Sequence, residues 1–250
     1  MTQPTRPVQT APITLYSSGA QFGLPEASPY VTKTEVQLNM ACLAYRKEGA
    51  TPDKSPKGQL PFIEDDGLVI ADSTFIRAHL ERKYHVDLDA GLDPRQRAEA
   101  WAIERMVENH LGWTCTHARW MLPENFEKGP AHFFDRAPDP VRAKLREDVL
   151  GRVSANLRSV GIGRHAPDEI VELGGRSLDA LAVLLEDKPY LFGETPVGVD
   201  ATTFGALAGL LTPFFDSPLR RRAAASPTLT AYVDRMMARY YPDHAWAPLA

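Results

Sequence analysis

Residues 58–80, GQLPFIEDDGLVIADSTFIRAHL, decide the fold that we predict for the N-terminal part of the chain. Strand-like apolar runs at 60–63 and 68–70 flank the turn EDDG, and a helical pattern follows at 73–84. Proline cannot donate a hydrogen bond to a sheet, so Pro61 fits only at the start or the edge of a strand. The stretch therefore predicts an antiparallel hairpin that leads directly into a helix.

The residues upstream of this hairpin add a strand, a helix and a second strand. ITLY at 13–16 is rich in β-branched and aromatic residues, which favours a strand. A helix is predicted from Pro29, with Ser28 as its N-cap, because apolar residues recur at helical spacing. Residues 45–48 form a further predicted strand. The order βαβ-ββα predicts an α/β domain with a four-stranded mixed sheet.

After Asp93-Pro94 the pattern changes to long helices separated by loops that contain Pro and Gly. We therefore predict an all-helical domain at 94–250, an α/β domain at 12–86 and a flexible leader at 1–11. The predicted helices of the second domain span residues 95–120, 141–160, 168–186, 200–211 and 227–240.

Composition and charge favour a soluble, cytoplasmic protein. With 44% hydrophobic and 24% charged residues, the chain is typical of compact domains with a sizeable core. A net charge of -4 argues against binding to nucleic acid. Two cysteines are too few for a disulfide framework, and we expect neither a signal peptide nor a membrane span, since no run approaches about 20 apolar residues.

Motifs for a metal or a nucleotide are weak. His110 and His117 are two turns apart on a predicted helix and Cys115 points elsewhere, which argues against a metal site. GIG at 161–163 lacks the third glycine and the preceding strand of a dinucleotide-binding loop. We therefore expect neither a metal nor a nucleotide cofactor.

The two ends of the hairpin are suited to different parts of one ligand. If the Leu60-Pro61 bond is cis, Leu60 exposes its backbone to an extended, peptide-like ligand; an ordinary trans proline would only start a strand. The unpaired amides at the next helix start can bind a carboxylate beside Ser73, and Asp72 can receive an ammonium group. The alternative is that Asp72 or Ser73 caps its own helix.

The start of the first helix is a candidate thiol site. In this topology Ser28 lies near the Pro61 turn, and the positive end of a helix lowers the pKa of a thiol bound there. The alternative is that Ser28 is simply an N-cap.

The chain resembles the glutathione S-transferase superfamily in its order of elements, βαβ-ββα, and in three motifs. These motifs are SPYV at 28–31, QLP at 59–61 and DS at 72–73. The resemblance covers most of the chain and implies a thioredoxin-like domain followed by a helical domain. It implies that the Leu60 backbone pairs with the cysteinyl part of glutathione beside a cis Pro61. The implied glutathione-binding residues are Gln59, Leu60, Pro61, Asp72 and Ser73.

The resemblance also implies a hydroxyl that stabilises the glutathione thiolate. Ser28 is our candidate because other members keep a Ser or Cys at the start of this helix. Ser17, Ser18 and Tyr16, at the end of the first strand, are rivals for the same role.

The long loop FGLPEASP, together with SPYVTK, is similar to the metaxin-like and failed-axon-connections-like branch of the superfamily. Bacterial members of this branch are usually called glutathione transferases, and eukaryotic members include proteins that act mainly by binding. The resemblance therefore implies a homodimeric glutathione S-transferase that joins glutathione, as co-substrate, to small apolar electrophiles in detoxification. The alternative is a non-catalytic binding module that recognises a protein or peptide. A reductase or peroxidase is disfavoured because position 28 is not a cysteine.

The helical half contains a second family-like segment, YLFGETPVGVDATTFG. In the family a Ser or Thr caps a buried helix, and an Asp three residues later reaches back to the cap amide. Asp200 is present, whereas Val197 replaces the capping Ser or Thr. Three tryptophans, Trp101, Trp113 and Trp120, are predicted on one helix, and we expect them to pack against the other helices or the N-terminal domain. The alternative is that one of them faces the cleft and forms a wall for an apolar co-substrate.

Overall fold

The computed structural model describes residues 9–246, so most of the predicted leader lies outside the described residues. The N-terminal part contains four strands and two helices, in the predicted order. They are β1 (Ile13–Ser17), α1 (Pro29–Met40), β2 (Tyr45–Gly49), β3 (Phe62–Asp65), β4 (Leu68–Ala71) and α2 (Ser73–Tyr84).

The four strands form one mixed sheet in the order β2-β1-β3-β4. β1 pairs in parallel with β2 and antiparallel with β3, and β3 pairs antiparallel with β4. β3 starts at Phe62 rather than at residue 60, because Pro61 has no N–H to join the ladder. Tyr16 lies opposite Phe62, so the end of β1 adjoins the start of β3.

The predicted four-stranded mixed sheet and the helical second half are both confirmed. The assignment of 12–86 and 94–250 as separate domains remains a prediction. No helix in residues 9–246 combines the length and the apolar character that crossing a bilayer requires. The helices of the second half are α3 (Pro94–Met106), α4 (Gly112–Trp120), α5 (Pro123–Lys128), α6 (Asp139–Ser159), α7 (Pro167–Leu185), α8 (Gly198–Leu211), α9 (Pro218–Ala224) and α10 (Pro227–Tyr240).

Two features of the helical half differ from the sequence prediction. A π-helical turn at Val107–Leu111 separates α3 from α4, where one helix over 95–120 was predicted. The short helices α5 and α9 were not predicted, because each begins at a proline that the sequence reading assigned to a loop. Both are shorter than two full helical turns, so their apolar periodicity is too brief to detect.

Helix α8 supports the start of α1 across the two halves of the molecule. Val36 of α1 belongs to the same buried apolar cluster as Phe204 and Leu207 of α8. A Cβ at Gly205 would lie 2.5 Å from the Pro29 carbonyl oxygen, so only glycine permits this approach. The helical half therefore fixes the position of the first residues of α1.

The buried start of α8 shows what replaces the missing capping hydroxyl. The Asp200 carboxylate accepts hydrogen bonds from the amides of Val197 at 2.8 Å and Leu191 at 3.1 Å. The Tyr232 hydroxyl also donates to it, at 3.1 Å. Val197 itself makes no side-chain cap, so Asp200 stabilises this helix start without the reciprocal bond.

Candidate glutathione site

The backbone around Pro61 is arranged to receive an extended ligand. The Leu60-Pro61 peptide bond is cis, which confirms the geometry implied by the family resemblance. Pro61 is buried, Leu60 is half-buried and Gln59 is exposed. Within residues 9–246, neither the amide nor the carbonyl of Leu60 has a hydrogen-bond partner. Most backbone groups in folded chains are paired, so Leu60 offers one donor and one acceptor to a ligand.

Asp72 lies directly beside this backbone, between the end of β4 and the start of α2. Its N–H donates to the Pro61 carbonyl at 3.3 Å, which brings the two predicted motifs together. Its φ of 83° is uncommon for a residue other than glycine, and such backbone geometry concentrates at functional sites. Its Oδ1 accepts from the Thr74 amide at 2.9 Å, so Asp72 does cap α2. Its other oxygen is 4.0 Å from Lys57 Nζ, which leaves this exposed carboxylate accessible to a second cation.

Ser73 is the first residue of α2 and is 4% exposed. Its hydroxyl has no hydrogen-bond partner among the residues that the structure describes. It lies where the unpaired amides of α2 carry partial positive charge, a position that binds carboxylates. Asp72 and Ser73 together can therefore hold an ammonium group and a carboxylate of one ligand.

Ser28 occupies the N-cap position of α1, but its side chain makes no capping hydrogen bond. Its carbonyl accepts from the Thr32 amide at 3.0 Å and from the Thr32 hydroxyl at 3.2 Å. The preceding residue, Ala27, is held by Arg119, whose Nη1 donates to the Ala27 carbonyl at 3.0 Å. The backbone of Ser28 is thus fixed, while its hydroxyl is available to a ligand at the positive end of α1.

Tyr16, one rival to Ser28, is engaged elsewhere. Its ring stacks on Phe62 with centroids 4.2 Å apart, and its hydroxyl donates to the Glu64 carboxylate at 3.3 Å. Burial raises the pKa of the Tyr16 hydroxyl, and the Glu64 charge raises it further. A phenol whose single proton is donated to a carboxylate is poorly placed to stabilise a thiolate.

The two serine rivals both interact with Glu26, a residue that is 1% exposed. The Ser18 hydroxyl donates to its carboxylate at 3.4 Å, and the Gly19 amide donates at 3.2 Å. Burial raises the pKa of Glu26, and the Lys47 ammonium and a hydrogen bond from Ser17 partly offset that effect. Glu26 therefore organises the loop behind the site and occupies the rival hydroxyls.

Ser28 faces a cavity of about 260 Å³ between the start of α1 and the helices α4 and α8. Trp120 and Phe133 give this cavity an aromatic wall, with ring centroids 6.1 Å apart. Trp120 is thus the tryptophan that faces the cleft, whereas Trp101 is 55% exposed. The cavity is lined by Ser18, Ala27, Ser28, Pro29, Tyr30, Gly112, Cys115, Thr116, Arg119, Trp120, Phe133, Ala206 and Gly209.

Three ionisable side chains in this lining have shifted pKa values. Burial of the Tyr30 hydroxyl, with the charge of Glu108 nearby, raises the pKa of Tyr30 to about 12. About a third of the Tyr30 residue is exposed, but its hydroxyl lies against Gly112. Burial raises the pKa of the Cys115 thiol to about 12. Burial lowers the pKa of the Arg119 guanidinium to about 10. At neutral pH the cavity therefore has a neutral phenol, a neutral thiol and one cation.

The sequence analysis did not identify Tyr30, Glu26 or Arg119 as site residues. For Arg119 a signal was present: the α4 residues in the lining recur three and four positions apart, which is one face of a helix. Tyr30 follows Ser28 and Pro29 in the same motif. Nothing in the sequence distinguishes Glu26, since its burial depends on how the loop ahead of α1 folds back.

Comparison with protein families now identifies the fold family. The Glutathione S-transferase N-terminal domain matches residues 29–125, and the Glutathione S-transferase, C-terminal domain matches residues 174–236. The chain belongs to the glutathione S-transferase superfamily. The N-terminal match contains every predicted glutathione-binding residue and ends within the helical half. It begins at Pro29, immediately after Ser28.

Three similar proteins place the chain in a particular branch of the glutathione S-transferase superfamily. Failed axon connections of Drosophila melanogaster is 35% identical over 92% of this chain, which spans 58% of that protein. The isoprene-epoxide–glutathione S-transferase of Rhodococcus sp. strain AD45 is 30% identical over 91% of this chain and 99% of that enzyme. Mouse metaxin-2 is 28% identical over 76% of this chain and 72% of its own length. These similarities confirm the metaxin-like branch.

Among solved structures, the β-etherase from Sphingobium sp. strain SYK-6 has a similar fold. It superposes with a TM-score of 0.66 over 94% of this chain and 98% of its own, at 21% identity. Glutathione S-transferase III superposes with a TM-score of 0.58 over 95% of this chain and 99% of its own, at 19% identity. Together these likenesses confirm the glutathione S-transferase fold.

Proposed function

We propose that this protein is a glutathione S-transferase that joins glutathione to small apolar electrophiles. The observation that carries the proposal is that polar groups at three of the predicted positions have no partner among residues 9–246. They are the backbone of Leu60, the helix start at Asp72 and Ser73, and the hydroxyl of Ser28. Each group matches a different part of the tripeptide.

In the proposed complex, glutathione lies along the start of β3. Its cysteinyl backbone pairs with the amide and carbonyl of Leu60. Its γ-glutamyl ammonium group contacts Asp72, and the adjacent carboxylate binds at Ser73 and the first amides of α2. Gln59 lies beside the same backbone and is exposed enough to contact the tripeptide. This orientation directs the thiol toward the end of β1 and the start of α1.

The proposed chemistry is activation of the thiol by Ser28. Its hydroxyl donates a hydrogen bond to the sulfur, and the positive end of α1 favours the thiolate, so both lower the thiol pKa. The thiolate then attacks an electrophile bound against Trp120 and Phe133. A redox function is disfavoured because burial raises the pKa of Cys115, the thiol in this lining, to about 12.

Turnover of 1-chloro-2,4-dinitrobenzene with glutathione, combined with calorimetric titration of glutathione, tests this proposal. We expect saturable binding below millimolar concentrations and a rate above that of the uncatalysed reaction. Absence of binding at millimolar glutathione contradicts the proposal.

A second candidate is a binding module with the same fold that recognises a protein or peptide and has no catalytic activity. Its support is the identity to Failed axon connections, 35%, which exceeds the 30% identity to the bacterial transferase. The turnover assay separates the two functions, because the module gives no rate above the uncatalysed reaction.

We further propose that the protein is cytoplasmic, acts in detoxification and forms a homodimer. Support for the homodimer comes from family membership and from two exposed aromatic side chains, Phe75 at 60% and Trp101 at 55%. Trp101 lines a groove together with Thr74 and Ala78 of α2, next to Phe75. Trp101→Glu should convert the dimer into a monomer in sedimentation experiments. A wild-type chain that sediments as a monomer contradicts this assembly.

A further inference from the structure

The cavity beside Ser28 is electropositive within an acidic protein. Its lining includes Arg119 and contains no Asp or Glu, whereas the whole chain has a net charge of -4. The positive end of α1 faces the same space. A cation in this wall interacts more strongly with an anionic substrate than with an uncharged one.

The charge of Arg119 is not neutralised by a carboxylate. Its Nη1 and Nη2 donate to the carbonyls of Ala27 and Gly209, at 3.0 and 3.1 Å. Its guanidinium also lies 5.0 Å from the centroid of the Phe215 ring. Within residues 9–246, no carboxylate oxygen is within 4.0 Å of it. Two carbonyl bonds leave other guanidinium donors unused, since arginine has five N–H groups.

We propose that this cavity selects electrophiles that carry a carboxylate on an aromatic or apolar body, and that Arg119 binds this carboxylate. The inference rests on the proposed transferase function for the reaction, but the binding part can be tested without it. Arginine suits the role because its planar donors pair with both oxygens of a carboxylate.

The positions of the lining residues fit such a molecule. Arg119 binds the carbonyl of Ala27, and the next residue, Ser28, faces the proposed sulfur position. In the proposed complex the carboxylate binds at Arg119 and the reacting carbon faces Ser28, with Trp120 and Phe133 against the body of the molecule. A cavity of about 150 Å³ holds benzene, so the 260 Å³ found here can hold a substituted single ring.

A matched pair of electrophiles tests the selection: 4-chloro-3,5-dinitrobenzoate and its methyl ester. In each reaction the glutathione thiolate forms a carbon–sulfur bond at the ring carbon that carries chlorine. Chloride leaves with the carbon–chlorine electron pair, and solvent takes the thiol proton. Each kcat/KM is divided by the rate constant of the uncatalysed reaction, because the ester is intrinsically more reactive. We expect this normalised value to be about tenfold higher for the acid, and the advantage to shrink as salt is added.

Variants of Arg119 test whether this side chain causes the preference for the acid over the ester. Arg119→Met should bring the acid-to-ester ratio to about one, and Arg119→Lys should retain part of the preference because it keeps the charge. Arg222→Gln is the matched control, since Arg222 pairs with Glu172 and Asp179 on the surface of the same half. It should leave the ratio unchanged. The ratio is informative even where Arg119 variants lose activity by releasing Ala27.

Two results overturn the inference. The first is a wild-type enzyme that converts the ester as well as the acid after normalisation. The second is an Arg119→Met variant that lowers both rates equally and so keeps the acid-to-ester ratio of the wild type. If neither compound is converted, turnover of 1-chloro-2,4-dinitrobenzene decides the transferase function, and calorimetry with the unreactive 3,5-dinitrobenzoate and its methyl ester decides the binding part. Tighter binding of the acid supports the inference, and equal affinities contradict it.

Discussion

Replacing Ser28 with alanine should separate catalysis from stability more clearly than any other change in the site. Hydrogen bonds to charged groups contribute about 1.5–3 kcal/mol. One pKa unit corresponds to about 1.36 kcal/mol, so Ser28→Ala should raise the pKa of bound glutathione by about one to two units. The thiolate fraction at neutral pH, and with it kcat/KM for 1-chloro-2,4-dinitrobenzene, should then fall about ten- to a hundredfold.

The same substitution should cost little stability. An N-cap serine usually contributes about 1 kcal/mol through its bond to the helix amides, but the Ser28 side chain makes no such bond. We therefore expect the free energy of unfolding to change by less than about 0.5 kcal/mol. Ser217→Ala is the control, because Ser217 does cap α9, at 3.0 Å from the Arg220 amide. It should lose about 1 kcal/mol of stability and leave the thiol pKa unchanged.

The assays are the pH dependence of kcat/KM, the ultraviolet absorbance of the bound thiolate and urea unfolding. An unchanged thiol pKa in Ser28→Ala would refute the role assigned to this hydroxyl. A stability loss equal to that of Ser217→Ala would show instead that Ser28 acts as a helix cap.

Three further predictions concern other parts of the chain. Asp72→Asn keeps the oxygen that caps α2 but removes the charge, so calorimetry should show about tenfold weaker glutathione binding with unchanged urea stability; unchanged affinity contradicts an ammonium contact. Burial raises the pKa of Asp200 to about 6, above its usual value in an unfolded chain of about 3.9, so the folded state holds this proton more tightly. The contribution of Asp200 to the free energy of unfolding should therefore decrease as pH rises from about 4 to about 6, by up to about 3 kcal/mol. Asp200→Asn should remove that slope in unfolding titrations, and an identical slope in both proteins contradicts the shift. Cys42 is exposed, whereas burial raises the pKa of Cys115 to about 12, so mass spectrometry should detect alkylation of Cys42 first; faster modification of Cys115 contradicts its protonated state.

The sequence predicted those parts of the fold that depend on local patterns. The hairpin at 60–70 and the helix that follows it were predictable because two short apolar runs, an acidic turn and a proline occur within one short stretch. The long helices of the second half were predictable as helical segments between loops that contain Pro and Gly. The π-helical turn at Val107–Leu111 was not, since a single extra residue in one turn leaves no mark on that pattern.

The candidate site likewise contains some residues that the sequence predicted and others that it did not. Leu60, Asp72 and Ser73 stand at the ends of predicted elements, so the topology alone brings them together. Arg119 and Glu26 act on Ser28 from distant points of the sequence or from a folded-back loop. Their roles depend on tertiary contacts: Arg119 binds a carbonyl that is 92 positions earlier in the chain.

A crystal structure with glutathione bound tests the central claim most directly. The account predicts the cysteinyl backbone paired with Leu60, the γ-glutamyl end at Asp72 and Ser73, and the sulfur within hydrogen-bonding distance of Ser28 Oγ. A tripeptide bound elsewhere, or a sulfur that contacts Tyr16, Ser17 or Ser18 in place of Ser28, would contradict it.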